Sequence, residues 1–505
     1  MPRQEILENQ VTLRDSRYGC RTMTENILLV NLPLAEMSTT SFFVMPPGLL
    51  SIATYLRDKG ETVEFVDLNV VRKQADGVGM IQAFENRLKR TQPMLVGVSV
   101  MVAGQFKLAQ KICKQAKQAM PDVLTVVGGA HVSQFPNDIL KNCPEIDFVV
   151  IGEGEEQAYA CVQYAKTRNN PPAWPDGLAY RSGNQGLITV LPKTQYIVDV
   201  DSLPWPAYDL LDFDDYRHDT RTWHNPYQVD LSLRVPIITS RGCPNQCIFC
   251  SVAECMGKKY RAMTATHVVD MVKMLYDKHG VGYFAIFDAN FAQEPARVIE
   301  ICNEITRRKL TIFIDLPTGL PINATAPEMI DALAEAGLIR TCISVETGDD
   351  FIRNTIMLKQ VDHDEIFTVV AAIRRYPQIF LLTDFVIGMP EDTEQSLEMS
   401  YRLIADLDTD GITLSIATPY PGTKLFEQCM RDNLFLPDII CDHLYEMDSY
   451  SHANVNKFHI KPYNLDLDTL SAYRDRILAM RHGKTAVYEK RMKKHFGIDL
   501  HSVRE

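Results

Sequence analysis

Hydrophobic and polar positions alternate in two long blocks. From residue 27 to about 160, short runs rich in Val, Ile and Leu are separated by stretches of helical spacing, the pattern of a doubly wound α/β sheet. It predicts strands at residues 27–31, 63–67, 95–100, 124–128 and 147–151, with a helix over 48–59 that stops at Gly60. Ligands of such sheets lie beyond the carboxyl ends of the strands, which here carry Asn31, Ser99, the run 128–131 and the run 152–155. Between about 165 and 232 the periodicity fails. Residues 169–177 are turn-rich, and 203–211 form an apolar connector stiffened by prolines. Alternation then resumes, with strands predicted at 237–240, 283–288, 311–314, 341–345, 380–387 and 412–417. Six βα units fall short of a closed eightfold barrel and leave a lateral opening for substrate. The expected organisation is an N-terminal extension to residue 26, a Rossmann-like domain over 27–165, a linker over 166–232, a partial barrel over 233–424 and a small helical cap over 425–505.

A chain of 505 residues is too long for one core. With 46% hydrophobic and 23% charged residues its composition is globular, and a net charge of −12 argues against a general nucleic-acid binder. The first 26 residues carry charges throughout and lack the apolar core of a secretory signal, and no run approaches the ~20 apolar residues of a membrane span. A soluble, cytoplasmic protein is expected. Twelve cysteines without paired spacing fit a reducing compartment.

Three of these cysteines stand apart. Cys243, Cys247 and Cys250 follow a short apolar run and Gly242, at the predicted C-terminal end of a strand, where barrel enzymes keep their chemistry. Three thiolates can hold three irons of a [4Fe–4S] cluster and leave the fourth open. A structural zinc site is the alternative, with Cys255 near enough in sequence to serve as a fourth ligand.

The spacing Cys243, Cys247, Cys250, with Phe249 before the last cysteine, resembles the signature of the radical S-adenosylmethionine (SAM) superfamily. Residues 46–50, 98–100, 128–131 and 152–155 resemble the cobalamin-binding domain that precedes the radical SAM domain in one large subfamily. The resemblance implies three cofactors: a [4Fe–4S] cluster, SAM and cobalamin. It implies cofactor contacts at Gly48, Leu49, Ser99, Val100, Gly128, Gly129, His131, Glu153, Gly154 and Glu155 in the first domain, and at Phe249, Arg261, Glu346 and Gly388 in the second. Glu346, in the run 344–348, is the expected SAM contact. His131 is equally readable as a loop histidine that caps backbone groups, and Arg261 as a solvated arginine. Two departures stand out: the Asp-x-His-x-x-Gly motif that supplies a cobalt ligand elsewhere is absent, and Glu391 and Asp392 occupy positions where glycine and glutamate are usual.

Tyr420, in the run 418–425, and Asp288, ending the second barrel strand, are candidate catalytic residues. Asp288 and Asn290 either position substrate or cap the following helix. His452, His459 and Tyr463 are candidates to reach substrate or ordinary packing residues. Residues 316–323 resemble members that methylate unactivated carbon, so methyl transfer to a small molecule leads, with a reducing partner such as flavodoxin or ferredoxin. Cyclisation or rearrangement without net methyl transfer, a first domain that binds no cobalamin, and a non-enzymatic sensor are the other readings. Nothing in the sequence specifies the substrate.

Overall fold

The computed structural model describes residues 25–33, 44–74, 79–169, 171, 173–183, 186–218 and 224–499. Most of the expected N-terminal extension, with Cys20, lies outside the described residues.

Five strands form the first sheet's parallel part: β1 (Asn26–Asn31), β2 (Thr62–Asp67), β3 (Leu95–Ser99), β4 (Leu124–Gly128) and β5 (Phe148–Val150). The hairpin β6 (Leu178–Ser182) and β7 (Leu187–Leu191) adds two antiparallel strands, giving the order β2-β1-β3-β4-β5-β6-β7. That hairpin falls within the stretch expected to be linker. Its two short strands carry mixed polarity, and pairing against β5 decides their conformation; the Arg181 guanidinium pins the edge by donating to the carbonyls of Ile146 and Cys143 at 2.6 and 2.8 Å.

The second sheet begins with β8 (Arg234–Ile237), earlier than the predicted 237–240. Ser240–Arg241 (β9) instead pairs antiparallel with Arg261–Ala262 (β10) in a separate ribbon. The chain turns between β8 and β9 because the backbone amide and hydroxyl of Thr239 and the hydroxyl of Ser240 all donate to the Asp288 carboxylate, at 2.6, 2.6 and 2.7 Å. Five further strands follow: β11 (Tyr283–Ile286), β12 (Phe313–Leu320), β13 (Leu338–Glu346), β14 (Phe380–Ile387) and β15 (Gly411–Ile416). All six strands of this sheet are parallel, in the order β15-β14-β13-β12-β11-β8. This is the predicted incomplete barrel.

Period-two alternation sets the faces. Ile343 and Val345 of β13, Phe385 and Ile387 of β14, and Ile412, Leu414 and Ile416 of β15 are buried in the main core against the surrounding helices. Each such burial contributes about 1.5–3 kcal/mol, and it leaves Ser344, Asp384 and Thr413 on the opposite, inner face. The helices carry their own end signals. In the 30-residue helix Leu467–Phe496, Asp466 accepts the Thr469 amide at 2.8 Å, and Gly497 closes the end at φ 69°. This helix packs on β15 and on Glu394–Asp406, and buries Leu470 and Ile477 completely. Among the described residues no helix is long and apolar enough to cross a membrane.

Candidate functional site

The cysteine loop leaves β9 through Gly242, whose φ of 80° and closeness to Lys259 admit no side chain: a Cβ there would stand 2.2 Å from the Lys259 carbonyl oxygen. The loop then holds itself by short backbone bonds. Cys243 N–H donates to Gly257 O at 3.1 Å and Cys250 N–H to Cys247 O at 3.2 Å, while Ile248 N–H reaches Met357 O at 3.3 Å. All three thiols are free and partly open to solvent. Phe249 packs with Ile248 against Ile352, Met357 and Met389, which fixes the loop's apolar side. Burial pushes the Cys247 thiol up to about 11, and the neighbouring Lys359 ammonium opposes that shift.

Cys255 does not join the three. It is buried, with Sγ 3.8 Å from the Ala130 carbonyl oxygen of the first domain. Among the described residues no three Cys, His, Asp or Glu side chains are gathered as for a single metal ion. The open thiols suit a cluster that spreads its sulfur ligands over separate irons. Asn290 adds to the fit: Nδ2 lies 3.9 Å from Cys243 Sγ, and its buried Oδ1 has no hydrogen-bond partner.

Beside the thiols, Glu346 ends β13 in the left-handed region at φ 71°, and its Oε1 accepts from Lys359 Nζ at 2.5 Å. Burial alone would lower the Lys359 pKa, but Glu346 and then Cys247 raise it and keep the ammonium charged. Lys359 rides on a strained segment. The π-helical turn Ile352–Ile356 precedes it, and Leu358 and Gln360 on either side have φ of 58° and 56°. Sequence reasoning missed Lys359, since no periodicity or motif marks it and only the tertiary fold brings it to Glu346. At the end of β14, Gly388 has φ 88°, and the Asp392 carboxylate accepts both the Gly388 and Met389 amides, at 2.7 and 2.9 Å. The unusual Asp392 therefore holds the strand-end turn itself.

Several expected contacts are corrected by their surroundings. Asp288 is fully buried and spends both oxygens on the Thr239–Ser240 turn, so it braces the cysteine loop and faces no open space. Arg261 is buried with its guanidinium on the carbonyls of Ile197 and Met256, at 2.8 and 2.7 Å, and on Glu153 at 2.7 Å. Glu155 accepts from Arg241 Nη2 at 2.7 Å and from the Ser51 hydroxyl at 2.9 Å, and Arg241 Nη1 lies 3.7 Å from Glu153. Glu153, Glu155, Arg241 and Arg261 thus form an ionic seam between the two domains. Gly154 is buried beneath it: a Cβ there would meet Ile52 at 3.1 Å.

His131 is 4% exposed, its Nε2 is 2.8 Å from the Tyr445 carbonyl oxygen, and burial lowers its pKa to about 4. It is a packing residue that ties the first domain to the C-terminal region. Leu49 and Val100 are core residues. What stays open at the carboxyl ends of the first sheet is Gly48, Ser99, Gly128 and Gly129, with Met101 half exposed. Gly129, at φ 115°, lets the β4 end press on Val100, whose carbonyl oxygen would be 2.5 Å from a Cβ. None of these four positions brings a bulky side chain to that surface. A pocket of about 430 Å³, open mouth included, lies at the seam between Gly48, Pro204, Thr239 and Arg241.

Tyr420 lies beyond β15, its hydroxyl 3.0 Å from His452 Nδ1 and 3.2 Å from the His452 amide. His452 in turn receives the Ile416 amide on its carbonyl, 3.0 Å away, at the end of β15. His459 is wholly buried between Thr418 and the Ser449 carbonyl, and Tyr463 bonds to Asp432 and Gln428 on the surface. Of the three C-terminal candidates, only His452 stands at the barrel mouth.

Comparison with known proteins places this geometry. The B12 binding domain model matches residues 37–162, and the Radical SAM superfamily model matches residues 237–404. The chain is 28% identical over 394 residues to an uncharacterized methyltransferase of Pyrococcus horikoshii, covering 77% of this chain and 80% of that protein. It is 27% identical over 398 residues to the anaerobic magnesium-protoporphyrin IX monomethyl ester cyclase of Cereibacter sphaeroides, covering 77% of this chain and 61% of the cyclase. Its fold is similar to that of the radical SAM methyltransferase TsrM of Kitasatospora setae, solved with cobalamin and a [4Fe-4S] cluster bound, at a TM-score of 0.67 and 19% identity over 93% of this chain and 89% of TsrM.

Proposed function

The chain belongs to the cobalamin-dependent radical SAM proteins, joining a B12-binding domain to a radical SAM domain, and on that premise we propose that it methylates an unactivated carbon of a small molecule. When bound, the cluster with SAM supplies a 5′-deoxyadenosyl radical, and cobalamin supplies the methyl group. The observation that carries the reading is the set of three partly open thiols of Cys243, Cys247 and Cys250 next to the Glu346–Lys359 pair, at the carboxyl ends of a parallel barrel sheet.

In this reading the three cysteines hold the cluster, and Phe249 and Asp288 fix their loop. Glu346 accepts hydrogen bonds from SAM's amino group or ribose, Lys359 faces its carboxylate, and the Gly388 turn lies under the adenine. Gly48, Ser99, Gly128 and Gly129 border the corrin. Tyr420 closes the substrate chamber. The unit over residues 27–165, extended by the hairpin to Leu191, is the cobalamin-binding domain, and residues 233–424 are the radical SAM domain. A small electron-transfer protein such as flavodoxin or ferredoxin delivers the electron, and the reaction takes place in the cytoplasm. The similarity to a cyclase favours one second reading, ring closure without net methyl transfer.

Anaerobic reconstitution with iron, sulfide and hydroxocobalamin, desalting, and counting of iron and cobalt tests the proposal. A corrin absorption band beside about four irons per chain, with SAM cleaved on reduction, is the expected result. A cluster without corrin would remove methyl transfer from cobalamin.

A further inference from the structure

We propose that the barrel lumen selects a substrate carrying a protonated amine, anchored on Asp384. The inference rests on the radical SAM reading of the site and adds the class of its substrate.

Three polar residues stand side by side across three neighbouring strands. Ser344 of β13 is in register with Asp384 of β14, and Asp384 with Thr413 of β15. Their strand neighbours Ile343, Val345, Phe385, Ile412 and Leu414 all point into the helix-covered core, so the three share the inner face. They form a polar rung one layer below Glu346. Ser344 and Asp384 are partly accessible and Thr413 is exposed, so the rung lines space that a ligand can enter.

Charge decides what the rung takes. The Ser344 hydroxyl donates to Asp384 Oδ2 at 3.3 Å. No cation pairs with Asp384 among the described residues: Lys359, the nearest ammonium to act on it, is bound to Glu346 at 2.5 Å, and Arg340 at the foot of β13 is bound to Asp315 at 3.2 Å. Burial, followed by the Glu346 charge, pushes the Asp384 pKa up to about 6, against hydrogen bonds from Cys342 and Thr413 and the Lys359 charge. A protonated amine supplies a counter-charge and donates to the carboxylate, while Ser344 and Thr413 flank it with hydroxyls. A phosphonate would be repelled here, and an isoprenoid would leave the carboxylate with hydrogen-bond donors but no cation.

The test is equilibrium dialysis of the reconstituted protein, with SAM present, against agmatine, cadaverine, xylitol, butylphosphonate and isopentenol. The amines are expected to bind first in rank, and Asp384→Asn, which keeps shape and removes charge, to weaken them about tenfold. Thr413→Val, on an exposed edge-strand position, is expected to weaken them about threefold. The ranking on the native protein needs no variant to fold. Xylitol, butylphosphonate or isopentenol binding more tightly than the amines, or amine binding undiminished in Asp384→Asn, overturns the assignment. Corrin content and SAM cleavage by the native protein test the underlying function separately: their presence with a site blind to amines sinks the amine assignment alone.

Discussion

The ionic seam between the domains makes a quantitative prediction through Glu155→Gln. Glu155 and Arg241 are buried, with side chains 4% and 15% exposed, and their closest approach is 2.7 Å. Removing one charge of such a pair costs about 3–5 kcal/mol, because the remaining charge stays desolvated. Here the lower end applies: Gln keeps an acceptor for the Ser51 hydroxyl, and Glu153 at 3.7 Å leaves Arg241 a second carboxylate. A loss of about 3 kcal/mol corresponds to a melting temperature lower by about 6–12 °C for a unit of this size. Burial alone would raise the Glu155 pKa, but the Arg241 charge and hydrogen bond outweigh it and the folded value is lowered. A depressed folded pKa contributes stability that is fully present above the unfolded value of about 4.3 and is lost as pH falls through the folded one. The difference in melting temperature between native protein and Glu155→Gln is therefore expected to be constant from pH 8 to about pH 5 and to shrink below about pH 4. Arg241 directly precedes Gly242 and Cys243, so the variant is also expected to lose iron faster on dilution. Melting within about 2 °C of native at neutral pH would refute the argument that the seam is a net stabiliser.

Replacing Cys243, Cys247 or Cys250 by Ala should abolish iron binding and SAM cleavage, whereas Cys255→Ala, whose thiol faces Ala130, should keep the native iron count; iron lost in Cys255→Ala would contradict the three-ligand assignment. Gly242→Ala puts a Cβ 2.2 Å from the Lys259 carbonyl oxygen at a φ of 80°, and is expected to give protein that retains no cluster; a normal iron content would show that the loop relaxes. His131→Leu removes the bond to Tyr445 O and should cost about 1–2 kcal/mol in a denaturation curve while corrin content stays native; loss of corrin at unchanged stability would return His131 to the cofactor. Asp288→Asn turns an amide group toward three donors and should lower stability by about 2–3 kcal/mol together with cluster retention, read by melting and iron count.

Period-two and helical spacing are properties of a segment, and they were enough to find both parallel sheets. The strand Phe380–Ile387 was readable to the residue, because it is a short run rich in β-formers that ends at a glycine, and its alternating burial emerges only in the fold. The strand before the cysteines was read three residues late. Nothing local says that Thr239 and Ser240 will be drawn to a carboxylate 48 and 49 positions onward. The hairpin Leu178–Leu191 was invisible for a related reason, since its conformation comes from pairing with β5.

The cysteine loop was legible because its chemistry is local: three soft ligands and an obligatory glycine lie within nine residues, and thiolate chemistry depends on residue type before it depends on fold. Charged residues are the opposite case. A carboxylate can bind a cofactor, brace a turn or seal a domain seam, and the outcome depends on which partner reaches it through a low-dielectric interior. So the sequence by itself determined two parallel α/β units and their order, and marked out the three-cysteine loop. Only the tertiary structure decided that Asp288 braces, that Glu153, Glu155 and Arg261 seal, that Lys359 meets Glu346, and that Asp384 stands beside Ser344. Hydrophobic periodicity is carried along the chain, whereas the pairing of charges is set by contacts between residues far apart in sequence, such as the 108 positions from Glu153 to Arg261.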